Sequence, residues 1–456
     1  MAQAWSVADL SAATGEPIER LSAFADAGLL VRRDDGRLDP DALNRVRLIR
    51  FAREHGVDED RLAAAVATQG DLLGTFEGLS SAEPTPYTLA QAAAQVGMAT
   101  DLTAELMELL GWDAAAAATS EDVQALERLV QAVATGLERE PLLQLVRVYA
   151  DLLDRLADAE VRIFHDYVHE PFRARGLSGH ELLRASEALG KPLLELVEPT
   201  LLYFHRRAWE RVNGEDLLRH LLEETAPPAS APGESTATVL FIDLAGFTPL
   251  TVAMGDTAAA EVLRRFAAMV RASAARTGGR IVKQIGDAFM LTFVQPGAAI
   301  GFGLAIARQA GQESQFPAVH IGAHTGTVLF REGDYVGGAV NLAARVTSAS
   351  APGQFLITTT TRRALEPIPD VEFTDLPPRA LKGIADPVGL VDVRPASRGG
   401  SAQERDAVCG MGLAAADVAT VIRWQGRSYA FCSPECAQLF RGAPRRYAQR
   451  QPGDAG

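Results

Sequence analysis

Apolar residues recur at helical spacing over most of the first 225 positions, and short continuous apolar runs of strand length appear only after position 237. In residues 1–75 the run from Ser6 to Leu21 reads as a short helix, a turn at Gly15 and a second helix, which Gly28 would terminate. Asp35-Gly36 is placed to turn a two-strand wing, and a third helix follows over 39–56. From Tyr87 to about Glu224 the spacing predicts helices throughout. One starts at a Ser120 N-cap and carries Val123, Leu126, Leu129, Val130 and Val133. Another starts near Pro141 and carries Leu142, Leu145, Val146, Tyr149, Leu152, Leu153 and Leu156. Two more are predicted over about 179–189 and 191–222. A proline-rich linker over 226–236 then leads to a different pattern. Val239–Ile242 is a strand ending in Asp243, followed by a helix over about 256–276. Strands 280–285 and 288–293 meet at Gly286-Asp287, a helix spans 298–312, and a strand spans 319–324. The order β-α-β-β-α-β is that of a ferredoxin-like core.

A chain of 456 residues suggests about two to four domains. No run approaches the ~20 apolar residues of a membrane span, and no basic-then-apolar leader opens the chain, so a cytoplasmic protein is expected. The net charge of −14 argues against general binding to nucleic acid or anionic membranes. All three cysteines fall within 409–436, so no disulfide framework spans the fold. Arginine dominates the basic residues; the lysines are Lys191, Lys283 and Lys382, and the asparagines are Asn44, Asn213 and Asn341. Lysine persists in such a composition where a planar guanidinium cannot replace a compact ammonium. Five histidines, at 165, 169, 180, 205 and 220, lie in the helical segment. His165 and His169 share a helix face, the spacing of a weak metal pair or a pH sensor, although ordinary polar helix positions explain them more simply.

The helix–turn–helix–wing–helix order of residues 1–75 resembles the MerR-type winged helix-turn-helix, which implies DNA binding. Residues 1–70, however, carry nine arginines, no lysine and twelve acids. A DNA reader shows a basic footprint, so the charge favours a protein-contact module. Residues 76–225 resemble the helical regulatory domain that precedes the catalytic domain in some bacterial soluble adenylate cyclases.

Three runs carry candidate chemistry: Val-Leu-Phe-Ile-Asp-Leu-Ala-Gly-Phe-Thr at 239–248, Lys-Gln-Ile-Gly-Asp-Ala-Phe at 283–289, and 333–345 with Asp334, Asn341 and Arg345. Two carboxylates at strand–turn junctions can hold a pair of Mg²⁺ or Mn²⁺ ions. Paired ions lower the pKa of an attacking hydroxyl and stabilise in-line displacement at phosphorus, and an arginine suits the charge that develops on phosphoryl oxygen. In this order and spacing the runs resemble the class III nucleotidyl cyclase catalytic domain, over residues 237–395. That resemblance implies metal ligands Asp243 and Asp287. It implies base selection by Lys283, donating to a ring nitrogen, and Asp334, accepting from the exocyclic amine, a pattern that suits ATP and opposes GTP. It also implies a ribose contact from Asn341, transition-state stabilisation by Arg345, and a contact of Lys382 with the terminal phosphates. Each residue alone has an ordinary structural explanation; seven in register do not. Active sites of this class form between two catalytic domains, so one chain holding both residue sets implies a homodimer with two equivalent sites. The alternatives are a DNA- or signal-binding regulator with a vestigial cyclase domain, which the intact set opposes, and a guanylate cyclase, which Lys283 and Asp334 oppose.

After a polar linker at 396–405, Asp406-Ala-Val-Cys-Gly-Met and Tyr429-Ala-Phe-Cys-Ser-Pro-Glu-Cys resemble the YHS domain, over 406–450. Cys409, Cys432 and Cys436 suit Zn²⁺ or Cu⁺. No histidine lies in the segment, so a fourth protein ligand is left open. A module this small has little core, and a structural metal would help it fold. The expected architecture is therefore multidomain: an all-α N-terminal region, an α+β ferredoxin-like cyclase domain, and a small metal-binding YHS-like module.

Overall fold

The structure is a computed structural model that describes residues 4–71, 73, 84–223, 233–313, 316–396, 404–413 and 415–448. The chain divides into two compact units, Met1–Pro227 and Pro228–Gly456.

In the first unit, α1 (Val7–Thr14) starts where the Ser6 side chain accepts from the Asp9 N–H, and ends at Gly15 with φ 73°. With α2 (Ile18–Asp26), α3 (Ala42–Glu54) and α4 (Glu59–Gln69) it encloses a core of Leu10, Leu21, Phe24, Leu38, Val46 and Ile49. Between α2 and α3 the chain reverses at Gly36, and the wing is reduced to bridges joining Leu38 to Arg32 and Trp5.

The rest of this unit is not all-α, as the spacing predicted. β1 (Pro84–Thr88) pairs antiparallel with β2 (Ala117–Thr119). Neither strand shows alternation: β1 contains Pro84 and Pro86, and β2 is only Ala-Ala-Thr. The Thr85 hydroxyl donates to the Ala118 carbonyl at 2.8 Å across the pair. Each strand ends in a threonine that caps the next helix, Thr88 for α5 (Leu89–Gln95) and Thr119 for α7 (Ser120–Ala134). The cap of α7 is thus Thr119, one residue before the expected Ser120. α6 (Thr100–Leu110) lies between them. α8 (Arg139–Phe164) buries Leu142 and Val146 but leaves Leu145, Tyr149, Leu152 and Leu153 exposed. A π-turn at His165–His169 and α9 (Glu170–Ala174) lead to α10, which runs unbroken over Gly179–Glu223 through Pro192 and Pro199. The helix break expected near Gly190 does not occur. A Cβ at Gly190 would stand 3.0 Å from the Phe164 ring, so this glycine serves close packing of α10 against α8.

The 226–232 part of the expected linker lies outside the described residues. β3 (Glu234–Leu244) begins inside its last three positions. The second unit continues with α11 (Phe247–Met254), α12 (Asp256–Thr277), β4 (Arg280–Ile285), β5 (Ala288–Phe293) and α13 (Pro296–Gln312). Then come β6 (Val319–Arg331), β7 (Asp334–Val336), α14 (Gly338–Ala349), β8 (Phe355–Thr358), α15 (Thr359–Arg363), β9 (Val371–Arg379) and β10 (Val388–Pro395). The sheet order is β4-β5-β3-β6-β8-β10-β9, with β7 paired to β6. Within it β3, α12, β4, β5, α13 and β6 make the ferredoxin-like core. β3 is apolar on both faces because both are covered. Leu240 and Ile242 face the core that holds Phe266 of α12 and Phe302 of α13. Val239 and Phe241 pack with Ala339 and Ala343 of α14.

The C-terminal segment forms β11 (Glu404–Arg405), β12 (Gly412–Leu413), β13 (Thr420–Trp424), β14 (Arg427–Phe431), α16 (Pro434–Gly442) and α17 (Pro444–Ala448). It shares the core of the large sheet: Val408, Cys409, Met411, Phe431 and Phe440 lie in one cluster with Phe266 and Phe316. Backbone bonds join the two parts, from the Gly412 N–H to Phe316 O and from the Ala318 N–H to Gly410 O. Most of the 396–405 linker, and the end of the 406–450 module beyond residue 448, lie outside the described residues.

Candidate active site

Strand register brings the two candidate metal ligands together. Asp243 lies near the end of β3, and Ile242 beside it pairs with Phe289 of β5. Asp287 occupies the tip that joins β4 to β5, where Gly286 has φ 61°. The tip therefore falls beside the end of β3, and the Asp243 and Asp287 carboxyls lie within hydrogen-bonding reach. Burial, and then the neighbouring Asp287 charge, push the Asp243 carboxyl up to about 7. Its Oδ1 is buried with no hydrogen-bond partner. A buried, unpartnered carboxylate oxygen beside a second carboxylate is costly until a cation or a proton satisfies it. This donor set, all oxygen and doubly anionic, fits Mg²⁺ or Mn²⁺.

Asp243 lines a cleft of about 300 Å³ with Phe241, Ala288, His320, Ala344 and Thr347. The floor is β3 and the wall is α14. That helix lies directly on β6 because Gly322 has no side chain: a Cβ there would stand 2.2 Å from the Thr347 backbone nitrogen. Asn341 and Arg345, four apart, share the exposed face of α14. Among the described residues neither side chain has a hydrogen bond or ion pair. Lys283 on edge strand β4 and Asp334 on β7 form an ion pair with each other, both side chains more than one-third accessible at 39 % and 35 %. Lys382 is exposed in the turn between β9 and β10.

The seven expected residues thus fall into groups: Asp243 with Asp287, Lys283 with Asp334, Asn341 with Arg345, and Lys382 alone. Of these, only Asp243 lines the cleft. His320 is an addition. It stands opposite Asp243 in the β3–β6 register. Its Nδ1 lies 2.8 Å from the Ser350 carbonyl, an acceptor that suits a proton on that nitrogen. Only the strand register reveals it; a lone histidine in a strand pattern carries no other signal.

In the C-terminal segment Asp406 joins Cys409, Cys432 and Cys436, with the four ligand atoms within 4.8 Å of one another. Cys409 sits in a tight turn ahead of β12, Cys432 follows β14, and Cys436 lies in the first turn of α16. In the first unit His165 and His169 stack at 5.0 Å, and Glu170 completes a group of three, half-buried at most.

The family model of the adenylate and guanylate cyclase catalytic domain matches residues 230–390. An adenylate cyclase of Streptomyces coelicolor is 30 % identical over 292 residues, which cover 62 % of this chain and 73 % of that protein. A pH-sensitive adenylate cyclase of Mycobacterium tuberculosis is 26 % identical over 388 residues, or 79 % of this chain and 92 % of that one. The adenylyl cyclase CyaB of P. aeruginosa, known as a crystal structure, is 26 % identical; the match covers 37 % of this chain and 98 % of that one, with a TM-score of 0.32.

Proposed function

The chain belongs to the class III adenylate cyclases, and from that premise we propose how its own residues convert ATP to 3′,5′-cyclic AMP and pyrophosphate. The carrying observation is the Asp243–Asp287 pair, with the buried Oδ1 of Asp243 left unpartnered. Asp243 and Asp287 would hold two Mg²⁺ or Mn²⁺ ions, which supply a lowered pKa at the ribose 3′-hydroxyl and charge stabilisation at the α-phosphate. In the reaction the 3′-oxygen forms its bond to the α-phosphorus as the bond to the β-phosphate oxygen breaks. Pyrophosphate departs and the hydroxyl proton passes to solvent.

Lys283 and Asp334 present a donor and an acceptor side by side, the complement of the adenine edge, and their mutual ion pair keeps both charges in place until the base replaces it. Asn341 orients the ribose and Arg345, from the same helix face, stabilises the charge that builds on the α-phosphate. Lys382 holds the terminal phosphates. Being charged and compact, it needs no bidentate geometry for that role.

These groups serve two sites in a homodimer, each taking its carboxylates from one chain and Asn341 and Arg345 from the other. Two observations support this. Asn341 and Arg345 do not line the Asp243 cleft, and neither has a hydrogen bond or ion pair among the described residues. The apolar row Leu145, Tyr149, Leu152 and Leu153 on α8 has helical spacing and is exposed. No helix among the described residues is long and apolar enough to cross a membrane. We place the enzyme in the cytoplasm, with ATP, and read residues 1–75 as a protein-contact unit and 76–225 as a regulatory one.

The test is an assay of the purified chain with Mn²⁺ and either ATP or GTP, with Asp287→Ala as control. Cyclic AMP from ATP, much less product from GTP, and none from the variant are expected. No cyclic product from either nucleotide under any metal condition overturns the reading.

A further inference from the structure

Cys409, Cys432 and Cys436 take no part in the nucleotide chemistry, yet they lie directly behind the turn that follows Asp243 and the end of β3. Gly246 in that turn has φ 69°, and a Cβ there would stand 2.8 Å from Val408 O and 3.1 Å from the Cys409 Cα. From the other side, a Cβ at Gly410 would stand 2.9 Å from Ala245 O. The Ala245 N–H donates to Ala318 O at 2.7 Å, and the Ala318 N–H donates to Gly410 O at 3.1 Å. Backbone therefore rests on backbone, with no side chain to absorb a shift.

The thiol geometry is that of a metal site. The Sγ atoms of Cys409 and Cys432 are 3.6 Å apart, and those of Cys432 and Cys436 are 3.7 Å apart. A disulfide needs about 2.05 Å, whereas sulfurs bound at about 2.3 Å to one tetrahedral ion stand about 3.75 Å from each other. Asp406 supplies the fourth group. Its Oδ1 accepts from the Val408 and Cys409 N–H groups at 2.8 and 3.3 Å, and its Oδ2 from the Cys432 N–H at 2.7 Å. A carboxylate offers about four lone-pair positions, so three N–H donors leave one for a cation. The same bonds hold both cysteine-bearing loops in register before any ion arrives.

We propose that Asp406, Cys409, Cys432 and Cys436 bind one thiophilic cation, Zn²⁺ or Cu⁺, and that this ion braces the Leu244–Gly246 turn and with it the catalytic carboxylate of Asp243. Thiolate ligands select such ions over Mg²⁺ and Mn²⁺, so the two metal sites of the unit do not compete for one ion. Binding ties the Cys409 turn to β14 and to α16. The Cys409 turn is in contact with Ala245 and Gly246, so the tie restrains the end of β3. The effect on Asp243 is that of an outer contact which orients a metal ligand.

The brace rests on reading Asp243 as a catalytic ligand, so it is tested first without catalysis. The full-length Asp243→Ala chain, thiols reduced, is loaded with Zn²⁺ or Cu⁺, freed of excess and analysed for metal. One ion per chain is expected, and none in the same chain with Cys432→Ser and Cys436→Ser added. Amide exchange is then followed over residues 244–248 in the wild-type chain, stripped and reloaded, with unchanged circular dichroism showing that both forms are folded. Slower exchange on reloading is expected. Where cyclase activity is measurable, stripping raises the apparent Mn²⁺ constant about tenfold and leaves the rate at saturating Mn²⁺ little changed. Failure to bind either ion overturns the site. Binding with no change in exchange at 244–248 overturns the brace.

Discussion

Replacing Gly246 by alanine tests whether the C-terminal segment is built into the catalytic unit, and Gly278→Ala supplies its control. Both glycines have φ 69°. A Cβ at Gly278 meets nothing within 4 Å, whereas one at Gly246 stands 2.8 Å from Val408 O, 3.0 Å from the Cys409 carbonyl carbon and 3.1 Å from its Cα. The left-handed backbone alone costs alanine about 1 kcal/mol. At Gly246 the neighbours are backbone on a close-packed core and cannot swing aside, so overpacking adds roughly 1–3 kcal/mol. In a unit of Pro228–Gly456 each kcal/mol lowers the melting temperature by about 2–4 °C. Gly278→Ala is therefore expected to lower the melting of this unit by ~3 °C, and Gly246→Ala by ~10 °C. Scanning calorimetry of the full chain, with cyclase activity at limiting Mn²⁺ as a second readout, compares them. The Gly246 variant should also need more Mn²⁺, since the strain reaches Asp243 three residues away. Equal melting shifts for the two variants would refute the packing of residues 408–410 on the 245–246 turn.

With Asp243 as the proposed metal ligand, its raised pKa predicts pH-dependent metal binding. Because its proton is held up to about 7, Mn²⁺ must displace it below that pH, so the dissociation constant measured by calorimetry should tighten about tenfold per unit from pH 5 to 7 and level off above. The folded carboxyl also binds its proton more tightly than the unfolded one, with its ordinary pKa of about 3.9. Its contribution to stability in chelator should therefore fall as pH rises from about 4 to 7, and Asp243→Asn should remove that slope from the melting curves. Lys283→Ala should raise the KM for ATP by about 10- to 100-fold and erode the preference over GTP, as measured by steady-state kinetics with both nucleotides. An unchanged ATP:GTP ratio would remove Lys283 from base selection.

The catalytic unit was legible because its signals are local. The apolar run before Asp243, the Gly286-Asp287 tip and the Asn341–Arg345 spacing each lie within a few residues, and the β-α-β-β-α-β order follows from periodicity. What stayed hidden depends on partners far away in the chain. β1 and β2 are too short and too rich in proline and alanine to alternate, and their helical neighbours dominate any window. Gly190 read as a helix break because the Phe164 ring that explains it lies on another helix. Asp406 stood in the quoted motif without a role, since its bond to the Cys432 N–H spans 26 positions. His320 needed the register of β3 against β6. The seating of the C-terminal segment on the catalytic core rests on Phe316 and Met411, residues that any buried pattern contains.

The central claim is that each active site takes residues from two chains, and mixing two inactive variants tests it most directly. A chain with Asp243→Ala is coexpressed with one carrying Arg345→Ala, and cyclic AMP production is measured on the copurified mixture. Random pairing makes half of the dimers mixed, and each mixed dimer has one of its two sites intact, so recovery of about a quarter of wild-type activity is predicted. Two chains that copurify as mixed dimers and make no more cyclic AMP than either variant alone would contradict the account.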